Sequence, residues 1–191
     1  MNNQHNNSVT SDICQGIVMD KESVLTSLEN IPEELKVLKQ WGVWASVCQQ
    51  DKKKPAKRLM SAKLRPISPI SKDYRYLDDF DAAFETLRER YHQQATFSGE
   101  KWNISGMGFV LTDNDPFVIV DVDDCIKDGL VSAEAQEIID HFNAPTEISY
   151  SGKGIHIICK GKLPGTACRK GNFEIYEKDR FFALTGRFIH D

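Results

Sequence analysis

The stretch FVIVDVDDC, residues 117 to 125, drives an apolar run into three acids. Phe117, Val118, Ile119, Val120 and Val122 are strong strand formers, whereas aspartate is depleted from strands. Side chains alternate faces along a strand, so Asp121 and Asp123 share one face and Val118, Val120 and Val122 the other. Asp124 turns off at the strand end. Two carboxylates at i and i+2 repel each other and are costly to desolvate unless something neutralises them. Hard divalent cations, which prefer oxygen ligands, are one such partner. A solvated strand end explains an isolated DxD equally well, so the pair needs company before it signifies a metal site.

Two later segments supply that company. In SYSGKGIHIICKG, residues 149 to 161, Ser151, Gly152, Lys153 and Gly154 form a tight loop leading onto a strand that carries His156. The glycines permit close backbone approach to a ligand, and Ser151, Lys153 and the loop amides suit phosphate. Taken alone, the segment is equally a glycine-containing hairpin with His156 a satisfied strand residue. In RKGNFEIYEKDRFFALTG, residues 169 to 186, Phe173 and Ile175 share one strand face while Glu174 and Tyr176 share the other. Glu174 is an acid inside an apolar strand, the anomaly already met at Asp121. Alone, it reads as an edge-strand charge that deters aggregation.

The elements that must position these groups are readable in outline. NIPEELKVLKQ predicts a short helix with Pro32 in its first turn and Glu33 and Glu34 at its positive end. GVWASVCQ predicts a strand, and residues 51 to 73 a basic, proline-punctuated loop. DDFDAAFETLRERYHQQ places Phe80, Phe84, Leu87 and Tyr91 on one helical stripe. GMGFVLT and FVIVDV, joined by the turn DNDP, read as a hairpin. SAEAQEIIDHFN is a helix capped by Ser132, and TEISY, IHIICKG, NFEIYE and RFFALTG are four further strands. Strands on one side and amphipathic helices on the other give an α+β sandwich on a mostly antiparallel sheet. Residues 1 to 28 are polar without a sustained period and read as a flexible tail, leaving residues 29 to 191 as one domain.

Composition sets wider bounds. With 191 residues, 40% hydrophobic and 27% charged, the chain can bury a full core. No apolar run approaches the roughly 20 residues that span a bilayer, and the start MNNQHNNSVTSD has no signal-peptide pattern, so no membrane partner and a cytoplasmic location are expected. The five cysteines form no CxxC pair, which argues against a zinc ribbon or a disulfide framework. The net charge of −4 does not point to nucleic acid, but residues 52 to 65, KKKPAKRLMSAKLR, contain seven cations and no acid. Such a run is either a solvated loop or a surface that follows a phosphate backbone; Lys53, Lys57 and Arg58 are its candidate contacts. A second cationic region holds Lys153, Lys160, Lys162, Arg169 and Lys170.

The order hhhDhDD, then SxGxGxH, then an acid in hEhY before RFFALTG, resembles the archaeo-eukaryotic primase superfamily, and more narrowly the primase-polymerase domains of phage and plasmid replication proteins. NIPEELKVLKQWGVW, GMGFVLT and the KLPG…RKG segment match that group's layout over roughly residues 30 to 188. The resemblance implies a primase-polymerase catalytic core on an RRM-like, mostly antiparallel sheet flanked by helices. It implies DNA primase or DNA polymerase activity, a nucleotidyl transfer supported by Mg²⁺ or Mn²⁺. Asp121, Asp123 and Glu174 would be catalytic metal ligands; Ser151, Lys153 and His156 would contact the incoming nucleoside triphosphate. Single-stranded DNA template and nucleoside triphosphates would be the partners, with a helicase domain or protein beyond them. Because relatives continue past the last predicted strand, a C-terminal truncation is expected. KRLMSAKLRP stands where many relatives have a proline-tyrosine pair, so the basic loop departs from the pattern. Two rivals remain: a non-catalytic single-stranded nucleic-acid binding module, and a metal-dependent nuclease or replication initiator. The second is disfavoured by the absence of an HxH pair.

Overall fold

The computed structural model describes residues 19–47, 55–71, 74–165 and 168–189. Helix α1 (Lys21–Glu29) begins at Asp20, whose carboxylate accepts from the Ser23 amide at 3.0 Å. This helix occupies the end of the stretch expected to be a flexible tail. Its anchor is Leu28, fully buried in the main core, with Val24 and Leu25 half-buried against it. Helix α2 (Glu33–Lys36) leads into strand β1 (Trp41–Val47).

Strand β2 (Ala56–Met60) corrects the loop expected over residues 51 to 73. It pairs antiparallel with β1, Val43 opposite Met60 and Val47 opposite Ala56. The backbone gains ladder hydrogen bonds there, and Leu59 and Met60 gain burial, which outweighs the polar composition around them. Two 3₁₀ turns, Pro69–Ser71 and Tyr74–Tyr76, precede helix α3 (Phe80–Arg90), capped by Asp79. Phe80, Ala83 and Leu87 are its buried stripe.

Strands β3 (Gln94–Phe97) and β4 (Glu100–Leu111) form a hairpin. Next come β5 (Phe117–Val122) and a ribbon of β6 (Ile126–Lys127) and β7 (Leu130–Val131). Helix α4 (Ala133–Phe142) is capped by Ser132, as its sequence predicts. Strands β8 (Thr146–Ile148), β9 (Ile155–Lys160), β10 (Cys168–Lys170), β11 (Phe173–Tyr176) and β12 (Arg180–Leu184) complete the described chain.

The fold is α+β, and every strand pair is antiparallel. Apart from β6 and β7, which pair only with each other, the other ten described strands divide between two five-stranded sheets. One runs β12-β4-β1-β2 with β3 beside β4; the other runs β10-β11-β5-β9-β8. The expected β4–β5 hairpin is therefore corrected: these strands lie in different sheets. Asp115, in the connecting DNDP, redirects the chain. Its carboxylate accepts from the amides of Thr112 and Phe117, each at 2.8 Å, from the Thr112 hydroxyl at 2.9 Å, and from Gln40 Nε2 at 2.7 Å. So many donors on one buried carboxylate hold the turn in a shape a two-strand hairpin does not need.

Strand β5 is central in its sheet and apolar on both faces for most of its length. Val120 and Val122 pack with Ile155, Ile157 and the α4 residues Ile138, Ile139 and Phe142. Phe117 and Ile119 face the other way and join the main core beneath the first sheet, with Phe109, Phe182 and Leu184. Only where that face emerges from the core does it turn polar, at Asp121. Among the described residues no helix is long and apolar enough to cross a membrane.

Candidate active site

Antiparallel pairing lines up one row of polar side chains across the second sheet. Asp121 on β5 stands opposite His156 on β9 and opposite Glu174 on β11. The row continues outward to Glu147 on β8, opposite His156, and to Arg169 on β10, opposite Glu174. Residues directly opposite in such pairs have Cβ atoms about 4.5–5.5 Å apart. Three anomalies spread over more than fifty residues of sequence thus become neighbours through register.

Burial pushes the Asp121 carboxyl above its ordinary range; His156 opposes this, Asp123 and Glu174 reinforce it, and Lys57 opposes it. The acid is half-buried beside other acids. His156 is buried, with Nε2 at 4.0 Å from Asp121 Oδ1 and Nδ1 at 2.8 Å from Glu147 Oε1. Its ring meets Phe182 edge-on at 5.4 Å.

The loop before β9 takes the tight form expected of it. Gly152 has φ +71, and its amide donates to the Ser149 carbonyl at 2.9 Å. A Cβ on Gly154 would sit 2.7 Å from the Val122 carbonyl oxygen and 3.3 Å from Asp123 Cα. Only glycine lets the loop lie against the end of β5 beside Asp123. Ser151 and Lys153 are exposed on this turn. The Arg187 guanidinium donates to the Ser149 carbonyl and ties the loop to the chain after β12.

Glu174 is 8% exposed and engaged on both oxygens. Oε1 meets Arg169 Nε at 2.9 Å; Oε2 accepts from the Tyr176 hydroxyl at 2.6 Å and lies 3.4 Å from an Arg180 nitrogen. The donor set Asp121, Asp123 and Glu174 has the hard-oxygen chemistry of a Mg²⁺ or Mn²⁺ site, and the repulsion felt by Asp121 is what a cation would relieve. Among the described residues, however, no group of three His, Cys, Asp or Glu side chains is drawn together closely enough to hold a metal ion. The fit is complete only if Glu174 exchanges its arginines.

A cleft of about 330 Å³ opens beside the row, lined by Lys57, Asp121, His156, Arg180, Phe182 and Ala183 among others. Of the cations expected to act together on one backbone, Lys57 and Arg58 leave their strand on opposite faces. Lys57 turns to the cleft, its Nζ 5.2 Å from the Trp44 ring centre and 5.8 Å from that of Tyr150. Arg58, the next residue on the strand, stacks on Trp102 at 4.8 Å on the opposite face. Lys53 lies outside the described residues. The second cationic region also disperses: Lys160 pairs with Glu34, Lys162 donates to the Asp115 carbonyl at 3.2 Å, and Arg169 holds Glu174.

Over 94 residues the chain is 37% identical to a DNA primase-polymerase of Nitratiruptor phage NrS-1. The match takes in 45% of this chain and 13% of that phage protein. It supports a primase-polymerase relationship. No family model matches the chain.

Two residues of the site escape a reading of the sequence. Arg180 opens the β12 motif but gives no sign of reaching back to Glu174. Glu147 sits in TEISY and shows the same signal that singled out Glu174, an acid inside a predicted strand; applied there, that rule finds it.

Proposed function

We propose that this chain performs template-dependent nucleotidyl transfer, as a DNA primase, a DNA polymerase or both, in the replication of a phage, plasmid or other mobile element. The observation that carries this reading is the in-register row Glu174–Asp121–His156 on three neighbouring strands. Similarity to a phage primase-polymerase supports it. On this reading the sheet centred on β5, with α4 on its back, is the RRM-like catalytic sheet.

Asp121, Asp123 and Glu174 would hold Mg²⁺ or Mn²⁺, which when bound lower the cost of activating an attacking hydroxyl and of releasing pyrophosphate. Glu174 joins this set by giving up Arg169 and Arg180, whose planar forks then suit triphosphate oxygens. His156 takes the triphosphate from the floor of the site, with Ser151 and Lys153 on the turn leading to it. Lys57, inside the cleft, is assigned to the nucleotide rather than to the template. Single-stranded DNA and nucleoside triphosphates are the substrates, and a helicase domain or protein is the expected co-worker.

The test is incorporation of labelled nucleotides on primed and unprimed single-stranded DNA, with ribo- and deoxynucleotides, in Mg²⁺ and in Mn²⁺. Wild type gives template-dependent product. Asp121→Ala combined with Asp123→Ala gives none and melts cooperatively. Product from the double variant, or DNA binding by wild type without any incorporation, contradicts the reading; a shortened primer assigns a nuclease instead.

A further inference from the structure

Glu147 is the most deeply buried acid near the cleft, and nothing above gives it a task. It is 0% exposed. Its Oε2 accepts from the Thr185 amide at 2.9 Å, the Gly186 amide at 2.8 Å and the Thr185 hydroxyl at 3.2 Å. Its Oε1 faces one group, His156 Nδ1, at 2.8 Å. The donors are mostly backbone and firmly placed. Gly186 has φ +68, and a Cβ there would come 2.0 Å from the Ser27 carbonyl oxygen, so only glycine brings that amide to the carboxylate.

We propose that Glu147 is the positioning residue of His156, holding the ring through Nδ1 and leaving Nε2 as the one ring nitrogen presented to a nucleotide phosphate in the cleft. A carboxylate only accepts, so Nδ1 carries the proton of that contact. The proton on one nitrogen sets the ring's tautomer and orientation, as an outer carboxylate does for a metal-bound histidine. Nε2 lies 4.0 Å from Asp121 Oδ1, beyond hydrogen-bond range, and no other described group hydrogen-bonds it. Phe182 packs edge-on against the ring at 5.4 Å. A phosphate oxygen only accepts, so the ring that binds it carries a proton on Nε2 as well as on Nδ1, donating to phosphate through the first and to Glu147 through the second; this ligand rests on the nucleotidyl-transfer reading.

The experiment has two arms. In the first, ring ¹⁵N spectra of the labelled, ligand-free chain are recorded, with His156 assigned as the signal lost in His156→Ala. Wild type is expected to be protonated at Nδ1. In Glu147→Gln the amide NH₂ turns to Nδ1 while its carbonyl keeps the three donors, and the Nδ1 proton is lost. A wild-type ring protonated only at Nε2 overturns the proposal, and this result needs no variant that folds poorly.

In the second arm, a non-hydrolysable nucleoside triphosphate with Mg²⁺ is titrated. Glu147→Gln is expected to weaken binding about 10–100-fold, the usual effect of removing such an outer partner, with single-stranded DNA affinity unchanged. The double variant Glu147→Gln with His156→Ala is expected to match His156→Ala alone. Additive losses, or full affinity in Glu147→Gln, overturn the proposal by showing a merely structural glutamate. A wild type that binds no analogue overturns the nucleotide as ligand and the functional reading with it, while an Nδ1-protonated ring still upholds positioning by Glu147.

Discussion

Glu147 and Glu174 flank the Asp121–His156 pair in the same row of the sheet, yet they are held in opposite ways. Glu147 is fully buried against two backbone amides, a hydroxyl and an imidazole. Glu174 is held at the rim by two arginines with side chains 71% and 49% exposed, and by the Tyr176 hydroxyl. Amides fixed by the backbone have nowhere else to go, whereas exposed guanidinium groups can swing to another anion at little cost. One end of the row is therefore a fixed support and the other an exchangeable clamp. That division suits a site whose histidine must stay placed while its third carboxylate changes partner as substrate arrives.

The largest effect should come from breaking the fixed end. Glu147→Ala strands buried donors that each cost about 1–3 kcal/mol when unpaired, so urea unfolding should show a loss of at least about 3 kcal/mol. Arg169→Ala, at the exchangeable end, should cost clearly less, because the Tyr176 hydroxyl and Arg180 still hold the buried Glu174 carboxylate. Similar losses for the two would erase the distinction.

A smaller effect separates Lys57 from Arg58. Lys57→Ala removes a cation from the cleft and should weaken binding of a non-hydrolysable triphosphate about 10-fold, the loss of one charge-assisted contact. Arg58→Ala should leave that affinity alone, because Arg58 lies on Trp102 across the strand. If Lys57 does not contact phosphate, both variants bind like wild type.

The smallest effect is a control far from the row. Burial pushes the Tyr91 phenol up to about 12, and its hydroxyl donates to the Met19 carbonyl. The native chain keeps a proton that the unfolded chain releases near its ordinary 10.0, so stability should fall as pH rises from 10 towards 12. Tyr91→Phe should flatten this fall in melting curves, while Glu147→Gln should leave it unchanged. A fall that tracks Glu147 instead would place the alkaline transition in the row.

What was legible in the sequence was largely local. The acids in FVIVDVDD, the glycine loop before His156, the acid in FEIY, and helix α4 with its Ser132 cap all depend on spacing within one element. What escaped depends on partners distant in sequence. The β4–β5 connection reads as a hairpin because DNDP has turn composition, but Gln40 helps Asp115 send the chain to another sheet. The basic loop conceals β2 because its partner β1 supplies the ladder. Adjacent cations read as one patch, yet strand alternation sends Lys57 and Arg58 to opposite faces. Register decides the rest: which residue stands opposite Asp121 follows from pairing, not from spacing.

The most direct test of the row as a metal-and-triphosphate site is Mn²⁺ binding by calorimetry. It would be run on wild type and on Asp121→Asn with Asp123→Asn, each with and without a non-hydrolysable nucleoside triphosphate. The predicted result is saturable Mn²⁺ binding by wild type that tightens when the analogue draws the arginines from Glu174, and no such binding in the double variant. Equal Mn²⁺ binding by the two chains would contradict it and take the metal away from Asp121 and Asp123.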